Sequence, residues 1–179
     1  MVYVFLANGF EEIEALAFVD ILRRAEINVQ TVSVDNTGCA TGSHSIKVST
    51  DINIDEVNKE DAEAVVLPGG MPGTLNLQKN EKVIEYVNYA NDNSKLLGAI
   101  CAAPMILGEL NILNGKKATC YPGFEEHLKG ADTTGAKCEC DENIITAKGA
   151  GATHEFAHCF VTILKDEKTA DNIISAMQY

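Results

Sequence analysis

Positive charge is scarce in this chain. Fourteen lysines and arginines stand against 26 aspartates and glutamates, for a formal net charge of -12 at pH 7. A phosphate backbone or an anionic membrane surface would be repelled, which excludes nucleic acid and membrane as general partners. No apolar run approaches the roughly 20 residues of a membrane span. The apolar start from Met1 to Ala7 has no basic flank and falls short of a signal segment, so it reads as a first strand and the chain as cytoplasmic. Also missing are a C-x-x-C pair, internal repeats, low-complexity tracts and linkers. The six cysteines (Cys39, Cys101, Cys120, Cys138, Cys140, Cys159) therefore support neither a zinc knuckle nor a thioredoxin-type site. With 46% hydrophobic residues in 179, the chain needs no disulfide staples. One domain over residues 1–179, with reduced thiols, is expected.

What is present is an alternation of strand-like and helix-like segments. Val2 to Ala7, Asn28 to Val34 and Ala62 to Leu67 read as core strands. Between the first two, Glu11 to Arg24 has helical spacing, with acids in the first turn and arginines in the last, as the helix dipole favours. Ile13, Leu16, Ala17, Asp20 and Ile21 lie near one stripe of it. Gly42 to Asp51 reads as a short extra strand or hairpin, and Asn80 to Asn93 as a helix. Lys117 to His127 suggests a strand and a short helix. Lys137 to Glu139 and Asn143 to Lys148 can pair across Asp141-Glu142. Helices close the chain, from the glycine-rich Gly149 to Thr153 segment to Leu164 and from Thr169 to Met177. Such alternation argues for an α/β sandwich with a mostly parallel sheet covered on both faces.

Ligands of such sheets gather beyond the carboxyl ends of the strands. Three short loops leave strands there: Asn8-Gly9, Gly69-Gly70 and Cys101. The stretch from Lys95 to Leu107 runs as strand, cysteine, helix, with small Gly98, Ala99, Ala102 and Ala103 beside the turn. A side chain on so sharp a turn projects from both elements, as in a nucleophile elbow. The same topology brings Glu14 or a neighbouring acid within reach of Cys101. By itself a lone cysteine at a strand end is more often structural.

His154-Glu155-Phe156-Ala157-His158 matches the H-E-x-x-H pattern of zinc proteases. A third ligand is required, and Asp166, Glu167 and Asp171 are generic candidates. With no downstream histidine, the ligand set is incomplete and no metal is assigned.

Four segments coincide in order and interval: Ala7-Asn8-Gly9-Phe10-Glu11-Glu12-Ile13-Glu14, Val66-Leu67-Pro68-Gly69-Gly70, Ala99-Ile100-Cys101-Ala102-Ala103-Pro104, and Gly149-Ala150-Gly151-Ala152-Thr153 followed by Glu155-Phe156-Ala157. Together they resemble the ThiJ/PfpI superfamily, in the branch of the parkinsonism-associated protein deglycase. The resemblance implies a flavodoxin-like three-layer sandwich, a homodimer and a reactive cysteine on a nucleophile elbow. Carried over by position, Cys101 is the nucleophile, Glu14 the carboxyl group beside it, and the amides of Gly70 and Ala102, with Gly69 adjacent, the anion pocket. Tyr121, His44 and Lys148 are candidate pocket walls. Ala102 stands where peptidase-like relatives carry a histidine, and Tyr121 where the animal branch does, which speaks against a hydrolytic Cys-His pair.

The activity so implied is a cofactor-independent conversion of small reactive carbonyls, either methylglyoxal to lactate or deglycation of a glycated protein or nucleotide. A second class is an oxidative-stress sensor or redox-regulated chaperone acting through Cys101. Cysteine peptidase and zinc hydrolase are the remaining alternatives. An ionised Glu14 opposes a Cys101 thiolate, whereas a protonated Glu14 supports one, so the two are expected to share a proton.

Overall fold

The computed structural model describes residues 1–179. In chain order the elements are β1 (Val2–Leu6), α1 (Glu12–Arg24), β2 (Val29–Ser33), β3 (Cys39–Thr41), β4 (Lys47–Ser49), β5 (Ile52–Asn53), β6 (Ala64–Leu67), α2 (Gly73–Lys79) and α3 (Glu81–Asp92). They continue with β7 (Leu96–Ile100), α4 (Pro104–Glu109), β8 (Lys117–Ala118), β9 (Asp132–Thr133), β10 (Cys138–Asp141), β11 (Ile144–Ala147), α5 (Thr153–Leu164) and α6 (Glu167–Ala176).

Seven strands form one sheet in the order β10-β11-β7-β6-β1-β2-β5. All neighbours run parallel except the edge strand β10, which pairs antiparallel with β11 across the Asp141-Glu142 turn. Strand alternation sends side chains to opposite faces, and both faces are covered. Val2, Val4, Leu6, Val66 and Ile100 meet α1, α5 and α6 on one side. Tyr3, Phe5, Val65, Leu67 and Leu97 meet α3 and α4 on the other. This is the expected three-layer α/β sandwich with a mostly parallel sheet. No helix is long and apolar enough to cross a membrane.

Several local expectations shift. On α1 the buried apolar residues are Ala15, Phe18, Val19, Ile21 and Leu22, so Ile21 of the expected stripe faces inward, whereas Ile13 and Leu16 are 56% and 37% exposed. The inner stripe is fixed by Phe18, whose ring packs on Phe156 and Phe160 of α5 at 5.2 and 5.0 Å between centroids. In the Gly42 to Asp51 region only β4 is a strand, and it pairs antiparallel with β3 just upstream. The helix α2, inside the loop after Gly69-Gly70, and the two-residue strand β9 were not foreseen.

Candidate active site

Cys101 directly follows β7, in the left-handed backbone region at φ 65°. A non-glycine residue there is held against its steric preference, and the surroundings fix it. The Cys101 N–H still donates to Ala147 O on β11 at 2.9 Å, while its carbonyl accepts from Tyr121 N at 2.8 Å. The residue is therefore pinned between the sheet and the Tyr121 segment.

Glu14 reaches the same place from the first turn of α1. Glu11 caps that helix, its Oε2 accepting from Glu14 N at 2.7 Å. The Glu14 side chain turns inward, is 2% exposed, and accepts from Gly69 N at 2.8 Å through Oε2. Its Oε1 is buried without a protein partner. Gly69 sits between the pair: a Cβ there would lie 2.6 Å from Cys101 Cβ and 2.7 Å from Glu14 Oε2. Gly70, at φ 90°, is pressed against Gly9 O and Glu11 N, where a Cβ would stand 2.5 Å from each. The three loops thus interlock at one sheet edge, with Glu11 N donating to Gly69 O at 2.9 Å and Gly73 N to Gly9 O at 3.1 Å.

Burial pushes the Glu14 carboxyl up to about 7, against the Gly69 amide that favours its charged form. Burial, followed by the neighbouring Glu14 charge, pushes the Cys101 thiol up to about 12, while the Ala102 and Gly70 amides pull it down. The first proton of the pair is thus shed near neutral pH and the second is held far above it. An ionised Glu14 opposes a thiolate at Cys101, whereas a protonated Glu14 supports one.

A cavity of about 140 Å³ opens at the sulfur, lined by Gly70, Met71, Cys101, Ala102, Tyr121 and Phe124. It is small and largely apolar, with room for a solute of a few non-hydrogen atoms. Tyr121 also walls a second cavity of about 490 Å³, bounded by Lys137, Lys148 and the Gly149 to Ala152 segment.

A family model for the DJ-1/PfpI family matches residues 1–163. The chain belongs to the DJ-1/PfpI family. It is 34% identical over 157 residues, 87% of its length, to protein DJ-1 homolog B of Arabidopsis thaliana, and spans only 36% of that relative's length. To a deglycase of Pyrococcus horikoshii it is 31% identical over 162 residues, covering 89% of this chain and 96% of the relative. The crystal structure of a DJ-1 superfamily protein from Salmonella typhimurium superposes with a TM-score of 0.94 at 31% identity, covering 99% of this chain and 97% of that one. The ThiJ/PfpI resemblance read from the four segments is the family so matched.

Not every candidate residue of this DJ-1/PfpI chain meets at Cys101. Gly69, Gly70, Ala102 and Tyr121 do; Lys148 lines only the second cavity, beyond Tyr121. His44 lies elsewhere, because its Nδ1 pairs with Glu12 Oε2 at 2.8 Å and its ring is mostly exposed. Burial works against the Glu12 charge, but the His44 ring and nearby amides outweigh it and hold the carboxyl down to about 2. Glu11, Glu12 and His44 form the one group whose ligand atoms converge within 4.8 Å. In the H-E-x-x-H segment His154 stacks on Tyr179 at 3.7 Å, Glu155 pairs with Lys137 at 2.6 Å and His158 with Asp171 at 2.8 Å. Sequence reading missed Met71 and Phe124 as cavity walls; Met71 follows the glycine pair directly, which was the available signal.

Proposed function

We propose that this chain is a cofactor-independent, cysteine-dependent enzyme acting on small reactive carbonyls, turning methylglyoxal into lactate or releasing a carbonyl adduct from a glycated thiol or amine. The reading rests above all on Cys101 and Glu14 flanking Gly69 beside a cavity sized for a small solute. The deglycase name of the Pyrococcus relative agrees with it.

In the reaction the Cys101 sulfur adds to the aldehyde carbon as its proton passes to ionised Glu14. The carbonyl π pair moves to oxygen, which faces the Gly70 and Ala102 amides, preorganised donors for that charge. Glu14 returns its proton to this oxygen, giving a hemithioacetal. It then takes the hydrogen of the former aldehyde carbon as a proton and delivers one to the adjacent carbon, while the hydroxyl proton on the first carbon passes to the oxygen on the second, leaving a lactoyl thioester. Water cleaves the carbon–sulfur bond, and the balance is methylglyoxal plus water to lactate. No metal, nucleic acid or membrane enters. The partner is the small carbonyl, and a second copy of the chain through the outer face of α1.

Because Glu14 acts as the base, lactate formation at limiting substrate climbs as pH rises through about 7. Cys101→Ser and Glu14→Gln each lower it by roughly 100-fold or more. Unchanged turnover in Cys101→Ser overturns the reading. If no lactate forms while mild peroxide adds two oxygens at Cys101 alone, the redox-sensor reading replaces it, since the same amides and a protonated Glu14 Oε1, which has no other partner, would donate to a sulfinate.

A further inference from the structure

A second thiol site lies outside the Cys101 cavity. Cys138 begins the edge strand β10, and Cys159 sits in the middle of α5, which packs against that strand. Their sulfurs stand 3.7 Å apart, both half-buried against the core cluster that includes Phe156 and Phe160. Cys159 also borders an open cavity of about 380 Å³ with His154, His158 and Asp171. Cys140, two residues along the strand, shares the Cys138 side and is exposed.

We propose that Cys138 and Cys159 are a reversible two-electron redox site, closing to a disulfide that ties β10 to α5 when peroxide is present. Neither residue takes part in the chemistry at Cys101. Their sulfurs are already neighbours, so closing the bond to about 2.05 Å asks for a small side-chain movement rather than a new packing.

The roles of the two thiols differ. The Cys138 thiol beside it, against its own burial, together with the nearby His158, holds the Cys159 thiol down, and the Cys138 thiol is held up as the partner that keeps its proton. Cys159 lines the 380 Å³ cavity and Cys138 does not, so Cys159 is the sulfur that meets the oxidant. Its thiolate attacks one peroxide oxygen, the O–O bond breaks, and hydroxide leaves and is protonated to water. The Cys138 sulfur then attacks the sulfenic sulfur of Cys159. The S–S bond forms, the S–O bond breaks, and the hydroxyl leaves as a second water with the Cys138 proton. Two thiols are oxidised and one peroxide is reduced to two waters; a dithiol reductant reverses the step.

The link would also act on the larger cavity. Lys137, next to Cys138, and the Gly149 to Ala152 lead into α5 both line it, and the Lys137–Glu155 pair already joins the two elements. Oxidation adds a covalent clasp to that seam.

The test is non-reducing peptide mapping of the whole chain after stoichiometric hydrogen peroxide, with free thiols blocked before digestion. The expected result is a Cys138–Cys159 linked peptide that disappears with dithiothreitol and is absent from Cys159→Ser, while Cys138→Ser leaves Cys159 as an oxygen adduct. A linkage through Cys140, or Cys159 oxidised in the wild type with Cys138 still alkylated as a free thiol, overturns the proposal.

Discussion

At the residue scale one buried carboxyl group, Glu14, stands out. Glu14 is nearly sealed from water, takes a single amide bond at Oε2 and leaves Oε1 without a partner. Ionising it in that position costs free energy that an exposed glutamate would not lose. Its folded pKa of about 7 lies above the ordinary 4.5, so the folded chain holds the proton more tightly than the unfolded one. The sign follows from linkage: this contribution to stability is full below pH 4.5 and is lost as pH rises through about 7. A shift of that size corresponds to at most about 3 kcal/mol. Glu14→Gln keeps an oxygen for the Gly69 amide and cannot ionise. It is expected to match the wild type in denaturant unfolding at pH 4.5 and to exceed it by up to that amount at pH 8. Equal midpoints at both pH values would mean that Glu14 ionises freely in the folded chain.

At the scale of elements, β7 is held to α5 by the absence of a side chain. A Cβ on Gly98 would lie 2.5 Å from Phe160 Cζ and 2.9 Å from Phe156 Cζ, and those rings are locked against Phe18. Gly98→Ala is expected to destabilise the chain by about 1–3 kcal/mol in urea unfolding, through overpacking, and to slow alkylation of Cys101 three residues on. A neutral result would show that α5 can move off the sheet. The small residues around the elbow were legible in the sequence, but the reason for Gly98 was not, because it belongs to a helix more than 50 residues away. The same distinction runs through the fold. Val2 to Leu6, Ala64 to Leu67 and Leu96 to Ile100 declared themselves as continuous apolar runs, since strands buried on both faces leave no alternation to misread. Helix α1 was recognisable by period but not by phase: its apolar residues surround most of the cylinder, and only the Phe156–Phe160 contact decides that Phe18 points inward. Glu14 and Cys101 could be paired from topology and family resemblance alone. His44 could not be placed, because its position depends on a buried glutamate that the sequence does not distinguish from its two acidic neighbours.

For the whole molecule, the outer face of α1 presents an exposed apolar surface. Ile13 and Leu16 flank Glu14 on α1 and face outward, in a chain whose net charge of -12 should otherwise keep copies apart. Apolar residues covered by a second copy would reconcile the two, and the inner face of the same helix would then be steadied where Glu14 meets Gly69. On this argument the wild type elutes with twice the chain mass in size exclusion with light scattering. The double substitution Ile13→Glu, Leu16→Glu yields a folded monomer with weakened Cys101 reactivity, because α1 loses its outer support while its inner contacts to Phe156 and Phe160 remain. A monomeric wild type, or a double variant that stays dimeric, would remove α1 from the assembly and leave Glu14 positioned by the helix cap at Glu11 and the Gly69 amide alone.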